Sequence, residues 1–314
     1  MENKEKILVT GASGFIGHHM IGFLKDKGCF VRGADIKPSS FNDADEHLIL
    51  DLRDFNNCKE ATEGINKVYN FTANVGNISF VDKFRAQVMR DNASININMA
   101  EASRQSKVER IFFSSAAGVY PTANQKNGGI VAFKESDAYP ANPDNEYGWE
   151  KLFSERLYLN YEKEFGLKAR IARFHNIFGP EGPTEGDKAK PIEMFCSKIA
   201  KAEDGDEIEI YGDGEQSRSF LYISDCIEAS YLLMESDFSG PLNIGSEEEI
   251  TINKIVDMIS EIAGKEIKKT YIGESQGAKG RTSDNTLIKE KLNWSPKVSL
   301  REGLSKTYLS IKNN

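Results

Sequence analysis

The chain has 314 residues, of which 39% are hydrophobic and 28% are charged, a balance typical of a globular protein with one large α/β unit or two lobes. Its formal net charge of −8 argues against a nucleic-acid partner, because a nucleic-acid groove needs clustered lysine and arginine. No apolar run approaches the roughly 20 residues of a membrane span, so no membrane partner is expected either.

The cysteines and the N-terminus favour a cytoplasmic location. Four cysteines, at positions 29, 58, 196 and 226, include no C-x-x-C pair, so neither a metal site nor a disulfide framework is expected. Reduced thiols are typical of a cytoplasmic protein. Residues 1–6 are charged and lead directly into an apolar run, which predicts that there is no signal peptide.

Short apolar runs alternate with helical patterns along the first half of the chain. Strands are predicted at 7–9, 29–34, 68–71, 110–113 and 169–174, and a helix at 15–27. This alternation predicts an α/β fold with a Rossmann-type, doubly wound parallel sheet.

A glycine-rich turn follows the first predicted strand. Its three glycines permit a tight turn, close approach of the backbone to a pyrophosphate, and close packing of the helix on the strand. The free amides at the start of the helix then face the phosphates. The turn predicts a dinucleotide site at Gly11, Ser13, Gly14, Phe15, Ile16 and Gly17.

Two acidic positions extend this predicted site. Asp35 ends the second predicted strand, where a carboxylate accepts hydrogen bonds from ribose hydroxyls and repels a 2′-phosphate, so NAD is expected rather than NADP. Asp51 and Leu52 follow the third strand, where the adenine edge would lie. An exposed turn is the alternative interpretation of Asp51 and Leu52.

Tyr147 and Lys151 form a Y-x-x-x-K pair. Residues four apart on a helix share one face, and an ammonium beside a phenol lowers the phenol pKa from about 10 towards neutrality. A tyrosinate of this kind is a base for a sugar hydroxyl. The spacing alone is common, but with the glycine turn it predicts transfer of a hydride between a hydroxyl-bearing carbon and NAD.

The composition changes after residue 178, where 181–190 are rich in glycine, proline and charge. The chain is expected to leave the sheet there, to return near 219–222 and 242–245, and to leave again with a helix at 251–263. The predicted organisation is an NAD-binding domain at 1–178, to which 219–245 return, and a smaller C-terminal substrate-binding lobe at 179–218 and 246–314.

These motifs resemble the extended short-chain dehydrogenase/reductase family, whose members rework nucleotide sugars, over nearly the whole chain. The features that carry the resemblance are the glycine turn, Asp35, Asp51-Leu52, 70–73, Ser114-Ser115 before Val119-Tyr120, and Tyr147 with Lys151. Three segments, 173–180, 211–220 and 280–285, look most like the GDP-mannose 3,5-epimerases. The last two are specific, because they lie in the predicted substrate lobe.

The resemblance implies further contacts, a substrate class and a homodimer that pairs helices 84–106 and 147–165. A GDP-hexose is the favoured substrate. The implied cofactor contacts include Thr72, Ala73, Tyr147, Lys151 and Phe174. The implied substrate contacts are Gly76, Asn77, Gly118, Tyr147, Asn176, Lys190, Arg218 and Arg281, with the two arginines and Asn176 on the diphosphate.

The reaction that the resemblance implies passes through a 4-ketone. The tyrosine takes the C4 hydroxyl proton while a hydride passes to NAD, and the ketone acidifies the hydrogens on C3 and C5. An acid and a base on opposite faces then invert these carbons before the hydride returns. Lys190 matches the lysine of this pair, although a solvated lysine is the alternative.

The chain departs from this pattern at two positions. Gly118 stands where the 3,5-epimerases have a cysteine, and Ala116 where the family has an active-site hydroxyl. Ser115 is the nearest hydroxyl and is a catalytic candidate, but alternation along a strand turns it to the other face. Loss of one such donor typically costs about 10²–10³ in rate.

Several explanations of this departure stay open. Another acid or a water could act at Gly118, the local chain could shift so that Ser115 faces inward, or the sequence could be an altered variant. A 4-epimerase or a C4 oxidoreductase is the alternative enzyme, because neither needs an acid at this position. Dehydration is disfavoured, because related dehydratases have a glutamate there. A catalytically impaired nucleotide-sugar-binding protein is the alternative from another class.

Overall fold

The computed structural model describes residues 4–41, 43–121, 131–273 and 280–313. Its strands are β1 (Lys6–Thr10), β2 (Phe30–Asp35), β3 (Glu46–Ile49), β4 (Lys67–Asn70), β5 (Arg110–Ala116), β6 (Val131–Phe133), β7 (Lys168–Phe174), β8 (Ile177–Phe178), β9 (Glu207–Tyr211), β10 (Ser217–Ser219), β11 (Leu221–Tyr222), β12 (Pro241–Ile244), β13 (Glu249–Thr251), β14 (Lys268–Ile272) and β15 (Gly280–Ser283). Its α-helices are α1 (Phe15–Asp26), α2 (Phe55–Thr62), α3 (Ile78–Lys83), α4 (Arg85–Gln105), α5 (Glu146–Phe165), α6 (Pro191–Lys201), α7 (Ile223–Glu235), α8 (Ile252–Ala263), α9 (Thr286–Leu292) and α10 (Leu300–Asn313). None of the helices in these ranges is long and apolar enough to cross a membrane.

Seven parallel strands form the central sheet, in the order β12-β7-β5-β4-β1-β2-β3. The side chains of β1 alternate between two cores, with Ile7 and Val9 in one and Leu8 in the other. Helices α1 and α7 contribute to the first core, and α2, α4 and α5 to the second. The sheet is therefore buried on both faces, which confirms the predicted doubly wound fold.

The strand order reverses direction at β1, which lies between β4 and β2. In a doubly wound sheet, the connections from the two neighbouring strands run to opposite faces at such a point and leave a crevice at the carboxyl ends. The glycine turn and the loops after β4 and β5 all begin at this edge of the sheet.

Helix α5 is fixed at both ends by local contacts. The Asn145 side chain accepts a hydrogen bond from the Gly148 amide and caps the first turn. Gly166 ends the helix in the left-handed conformation, with φ of 75°. The first two turns of α5, which carry Tyr147 and Lys151, therefore begin at a defined position beside the end of β5.

The prediction that the chain returns to the central sheet near 219–222 is wrong. Strand β10 pairs with β13 and β15, and β11 pairs with β8 in a separate two-stranded sheet. The chain joins the central sheet only at β12, beside β7, after helix α7. An apolar run at 220–222 predicts a buried strand, but nothing local in it specifies the partner strand.

Candidate active site

A cleft of about 640 Å³ opens at the carboxyl ends of the central strands, a size typical of small-molecule sites. It continues into a groove that passes Asp35, Asp51 and Thr72. The predicted site residues that line one or both are Gly11, Ser13, Gly14, Phe15, Ile16, Gly17, Asp35, Asp51, Leu52, Thr72, Ala73, Gly76, Asn77, Ser115, Gly118, Tyr147, Phe174, Asn176, Lys190, Arg218 and Arg281. Lys151 lies behind them in α5.

The glycine turn has no room for side chains. Gly11 has φ of +68°, and a Cβ at this residue would lie 3.0 Å from the carbonyl carbon of Phe71. A Cβ at Gly17 would lie 2.2 Å from the carbonyl oxygen of Gly11. The first turn of α1 therefore packs directly on the chain that leaves β1, and its backbone is open to a ligand in the groove.

Asp35 holds the same turn from the end of β2. One of its carboxylate oxygens accepts from the Ser13 amide and the other from the Lys37 amide, both at 3.1 Å. The Ser13 hydroxyl donates to the Lys37 carbonyl at 3.0 Å. These bonds fix the carboxylate at the rim of the groove, where a ribose hydroxyl would be in reach.

Asp51 is engaged with Arg53. The guanidinium donates to the carboxylate at 2.6 and 2.9 Å and lowers the Asp51 pKa. Leu52 is buried beside this pair. In the loop after β4, the buried hydroxyl of Thr72 has no hydrogen-bond partner among the described residues. An unpartnered hydroxyl at the groove is what a polar ligand would satisfy.

Lys151 contacts Tyr147 through the face of the ring and not through the hydroxyl. Its ammonium lies 5.4 Å from the Tyr147 ring centroid and donates to the Ser114 carbonyl at 2.7 Å. The expected lowering of the Tyr147 pKa is wrong for this arrangement. Burial raises the pKa of Tyr147 and lowers that of Lys151, because desolvation disfavours both charged forms.

Ser115 directs its hydroxyl into the protein interior. Its Oγ donates to the Glu155 carboxylate at 2.5 Å, and the same carboxylate pairs with Arg173 at 2.7 Å. The side chain therefore lies on the face that strand alternation predicts, and its proton is engaged with Glu155. In this arrangement Ser115 does not offer its proton to the cleft, which weighs against the catalytic role considered for it.

Gly118 leaves space in the wall of the cleft. It lies in the turn after β5, and among the described residues a Cβ added to it would contact only the Cα of Gly148, at 3.7 Å. A side chain could therefore fit here without displacing the backbone.

Lys190 lies at the start of α6 and is half-buried. Its ammonium donates to the Ile177 carbonyl at 3.1 Å and lies 4.6 Å from the Phe15 ring centroid. Burial lowers its pKa, which makes the ammonium a stronger acid. The alternative of a freely solvated lysine does not describe this environment.

Arg218 and Arg281 are partners in the parallel register of β10 and β15. Side chains at paired positions lie on the same face of a sheet, which brings the two positive charges together. Burial and the charge of Arg281 lower the pKa of Arg218 to about 10. Two partly buried guanidinium groups that repel one another form a site for an anion such as a diphosphate.

The remaining predicted substrate residues hold nearby loops. Asn176 donates from its amide to the Ser219 carbonyl at 2.9 Å. The Asn77 side chain accepts from the Phe80 amide and caps α3, and its backbone amide donates to the Asp187 carbonyl at 2.7 Å. A Cβ at Gly76 would lie 2.6 Å from that same carbonyl oxygen, so only glycine permits this approach.

Three carboxylates of the cleft were not predicted from the sequence, of which Asp82 is exposed and Asp144 and Glu193 are not. Asp144 pairs with Arg281 at 2.8 Å, and Glu193 accepts from the Gly179 amide at 3.3 Å. Their positions, three residues before Tyr147 and three after Lys190, are the only local signals that could have identified them.

The sequence model of the family described as "NAD dependent epimerase/dehydratase family" matches residues 7–245. The chain is 41% identical to GDP-mannose 3,5-epimerase of Arabidopsis thaliana over 311 residues, which are 98% of this chain and 82% of the relative.

Two solved structures have the same fold over nearly the whole chain. One is UDP-glucose 4-epimerase of Thermotoga maritima with UDP-glucose, with a TM-score of 0.88, 27% identity, and coverage of 98% of this chain and 99% of that one. The other is UDP-glucose 4-epimerase of Thermus thermophilus with NAD, with a TM-score of 0.84, 25% identity and the same coverage of both chains.

Proposed function

Because the chain belongs to the NAD dependent epimerase/dehydratase family, we propose that it is an NAD-dependent nucleotide-sugar epimerase that inverts C3 and C5 of a GDP-hexose through a transient 4-keto sugar. The similarity to GDP-mannose 3,5-epimerase over 98% of the chain supports the substrate class. The observation that carries the proposal is Lys190, a half-buried lysine of lowered pKa that lines the same cleft as Tyr147.

The residues of the groove fit NAD. The glycine turn would accommodate the pyrophosphate against the first turn of α1, and Asp35 would accept hydrogen bonds from a ribose. The unpartnered Thr72 hydroxyl lies in the same groove. Bound there, NAD would accept a hydride from C4 of the sugar and return it at the end of the cycle.

The proposed roles of the cleft residues follow from their positions. Tyr147 takes the proton of the C4 hydroxyl, and the ammonium of Lys151 stabilises the phenolate across the ring face. Arg218 and Arg281 bind the diphosphate, with Asn176 beside them. Lys190 transfers a proton at a carbon next to the ketone. Of these residues, Lys190, Arg218 and Arg281 belong to 179–218 and 246–314, the lobe that we propose for substrate binding, whereas Tyr147 and Asn176 belong to 1–178.

A 4-epimerase is the second candidate. Gly118 lacks the thiol that the sequence resemblance implies for proton chemistry at C3 and C5, and a 4-epimerase needs no acid at that position. Both solved structures compared above are UDP-glucose 4-epimerases.

Incubation of the protein with GDP-mannose in D₂O separates the candidates. A 3,5-epimerase incorporates deuterium at C3 and C5, which NMR or mass spectrometry of the recovered sugar detects. Product without deuterium identifies a 4-epimerase. Neither product nor deuterium, with NAD bound, would leave the binding-protein alternative.

We propose that the protein is a homodimer through α4 and α5. These helices pack against one another, and their outer faces carry exposed apolar side chains: Met89 and Ile97 on α4, and Trp149, Phe153 and Phe165 on α5. An exposed apolar surface of this kind is typical of a protein interface.

We also propose that the protein is cytoplasmic. Its four free cysteines support this location, because reduced thiols are typical of cytoplasmic proteins.

A further inference from the structure

Epimerisation at C3 and C5 requires two groups on opposite faces of the sugar, and Gly118 supplies none. The titratable groups that line the cleft, within the part of the chain that the structure describes, limit the choice. Besides Tyr147, the arginines and Lys190, they are Asp82, Asp144, His175 and Glu193.

Three of these four are less suited to act beside Gly118. Asp82 is exposed and pairs with Arg85 at 2.8 Å. Glu193 is fully buried on α6, three residues after Lys190, and therefore lies on the lysine's side of the cleft. The ring of His175 is hydrogen-bonded to Asn243 at 3.2 Å.

Asp144 lies beside Gly118, the position of the missing side chain. Its backbone amide donates to the Gly118 carbonyl at 3.2 Å. One carboxylate oxygen pairs with Arg281 at 2.8 Å, while the other, Oδ1, is buried with no hydrogen-bond partner among the described residues. A buried carboxylate oxygen that has no partner in the free protein can be satisfied by a group of a bound substrate.

We propose that Asp144 is the catalytic base of the epimerisation and that it replaces the side chain that Gly118 lacks. This inference rests on the proposed function. Asp144 removes the proton from a carbon next to the ketone, and the bonding electrons of that C–H move to the ketone oxygen. The ammonium of Lys190 then donates a proton to the opposite face of the same carbon as the ketone re-forms. Exchange with water removes the proton from Asp144 and returns one to Lys190 before the second carbon reacts.

The environment of both groups favours these directions of transfer. Burial raises the pKa of Asp144, with Arg281 acting against it, and a carboxylate of raised pKa is a stronger base. Burial lowers the pKa of Lys190, which makes its ammonium a stronger acid. The burial that weakens each charged form therefore suits each group to its step.

Asp144→Asn tests the proposal, because the amide oxygen can still accept from Arg281 but the residue is no longer a base. With GDP-mannose in D₂O, we expect deuterium incorporation at C3 and C5 to fall by roughly 10²–10⁴-fold. The absorbance of reduced nicotinamide formed on mixing, which reports the C4 step, should persist. Gly118→Cys in the Asp144→Asn background should restore exchange, because the space beside Gly118 admits a side chain.

Other outcomes contradict the proposal in distinguishable ways. Exchange at the wild-type rate in Asp144→Asn, or a raised KM with unchanged kcat, would mean that Asp144 only positions Arg281 and is not the base. Loss of the C4 step together with the exchange would do the same. If Asp144→Asn does not fold, Asp144→Glu carries the test and should slow exchange while the C4 step persists. If the wild type forms a 4-epimer without deuterium, the proposed function itself fails.

Discussion

The ammonium of Lys151 lies 5.4 Å from the ring centroid of Tyr147 and is hydrogen-bonded to the main-chain carbonyl of Ser114. The lysine is therefore held by the end of β5, and its charge acts on the tyrosine through the ring. Burial, and to a lesser extent the charge of Glu150, raise the pKa of Tyr147, so the phenol is protonated near neutral pH in this arrangement. Activation of the base then depends on the positive charges around it when substrate and cofactor are bound.

Replacement of Tyr147 by phenylalanine should abolish turnover and leave the cofactor site intact. The phenol lines the cleft, whereas the glycine turn and Asp35 form the dinucleotide groove. Loss of a general base costs about 10²–10⁴ in rate. The measurements are epimerisation of GDP-mannose and the amount of NAD released on denaturation. Activity equal to that of the wild type would remove Tyr147 from the mechanism.

The buried pair of Glu155 and Arg173 should be needed for folding. Both side chains are about 1–2% exposed and lie 2.7 Å apart, and Ser115 donates to the same carboxylate. Glu155→Gln leaves a buried guanidinium without its counter-charge, which typically costs about 3–5 kcal/mol. Urea unfolding measures the loss.

Glu185→Gln is the matched control for the buried pair. Glu185 pairs with Lys201 at 2.6 Å, but both side chains are more than 70% exposed. Water screens this pair, so the free energy of unfolding should be unchanged within error. Equal destabilisation by the two variants would contradict the role given to burial.

Much of the central domain follows from local sequence. The predicted bounds of β1, α1 and β2 agree with the structure to within about one residue, because buried parallel strands are continuous apolar runs and glycines mark the turn between them. The chain near 219–222 does form strands, but β10 pairs with β13 and β15, and β11 pairs with β8, all outside the central sheet. Choice of partner strand depends on long-range packing, which a short apolar run does not encode.

The site shows the same limit at the level of single side chains. Strand alternation correctly predicts that the side chains of Ser115 and Ala116 face opposite sides of the sheet. It does not predict the partner of Ser115, because Glu155 is 40 residues away along the chain. The ammonium of Lys151 was expected to lower the pKa of Tyr147, but it is hydrogen-bonded to the Ser114 carbonyl. A pattern of side chains does not predict a main-chain acceptor. Asp144 was missed for a related reason, since its place beside Gly118 depends on the loop before α5.

Two glycines of α1 should respond in opposite ways to alanine. A Cβ at Gly17 would lie 2.2 Å from the Gly11 carbonyl oxygen, whereas one at Gly22 would meet no atom of the described residues within 4 Å. Gly17→Ala should displace the turn, lower stability and abolish NAD binding. Gly22→Ala should bind NAD normally and be more stable by up to about 1 kcal/mol, because alanine favours helix. Unfolding curves and NAD titration measure both, and equal NAD affinity in the two variants would contradict the turn as the cofactor site.

Charge on the outer face of α5 should dissociate the proposed dimer. Phe153 is 46% exposed on that helix, and Leu309 is 50% exposed on α10. Phe153→Glu would place a charge within the proposed interface, so we expect a monomer by light scattering coupled to gel filtration. Leu309→Glu is the control and should keep the mass of the wild type. A wild-type monomer, or an unchanged mass in Phe153→Glu, would overturn the interface.

His175 should make stability depend on pH below neutrality. Burial is the largest cause that lowers its pKa, to about 4, and the charges of Arg281 and Arg173 act in the same direction. Unfolded histidine has a pKa of about 6.5. Between about pH 6.5 and 4 the unfolded chain therefore binds a proton that the folded chain does not, and stability is lost as pH falls through this window.

Comparison with His175→Gln isolates this effect, because glutamine can still donate to the Asn243 oxygen that His175 contacts but does not titrate. Above pH 6.5, the difference in the free energy of unfolding between the wild type and the variant should not change with pH. As pH falls to 4, the wild type should lose on the order of 1–3 kcal/mol relative to the variant, since one pKa unit corresponds to about 1.4 kcal/mol. Carboxyl groups of raised pKa, such as Asp144 and Glu193, titrate with the opposite sign, but they are common to both proteins and cancel in the difference. Parallel stability curves from pH 8 to 4 would mean that the folded protein accommodates the charged ring, and that His175 is not isolated from water as its burial indicates.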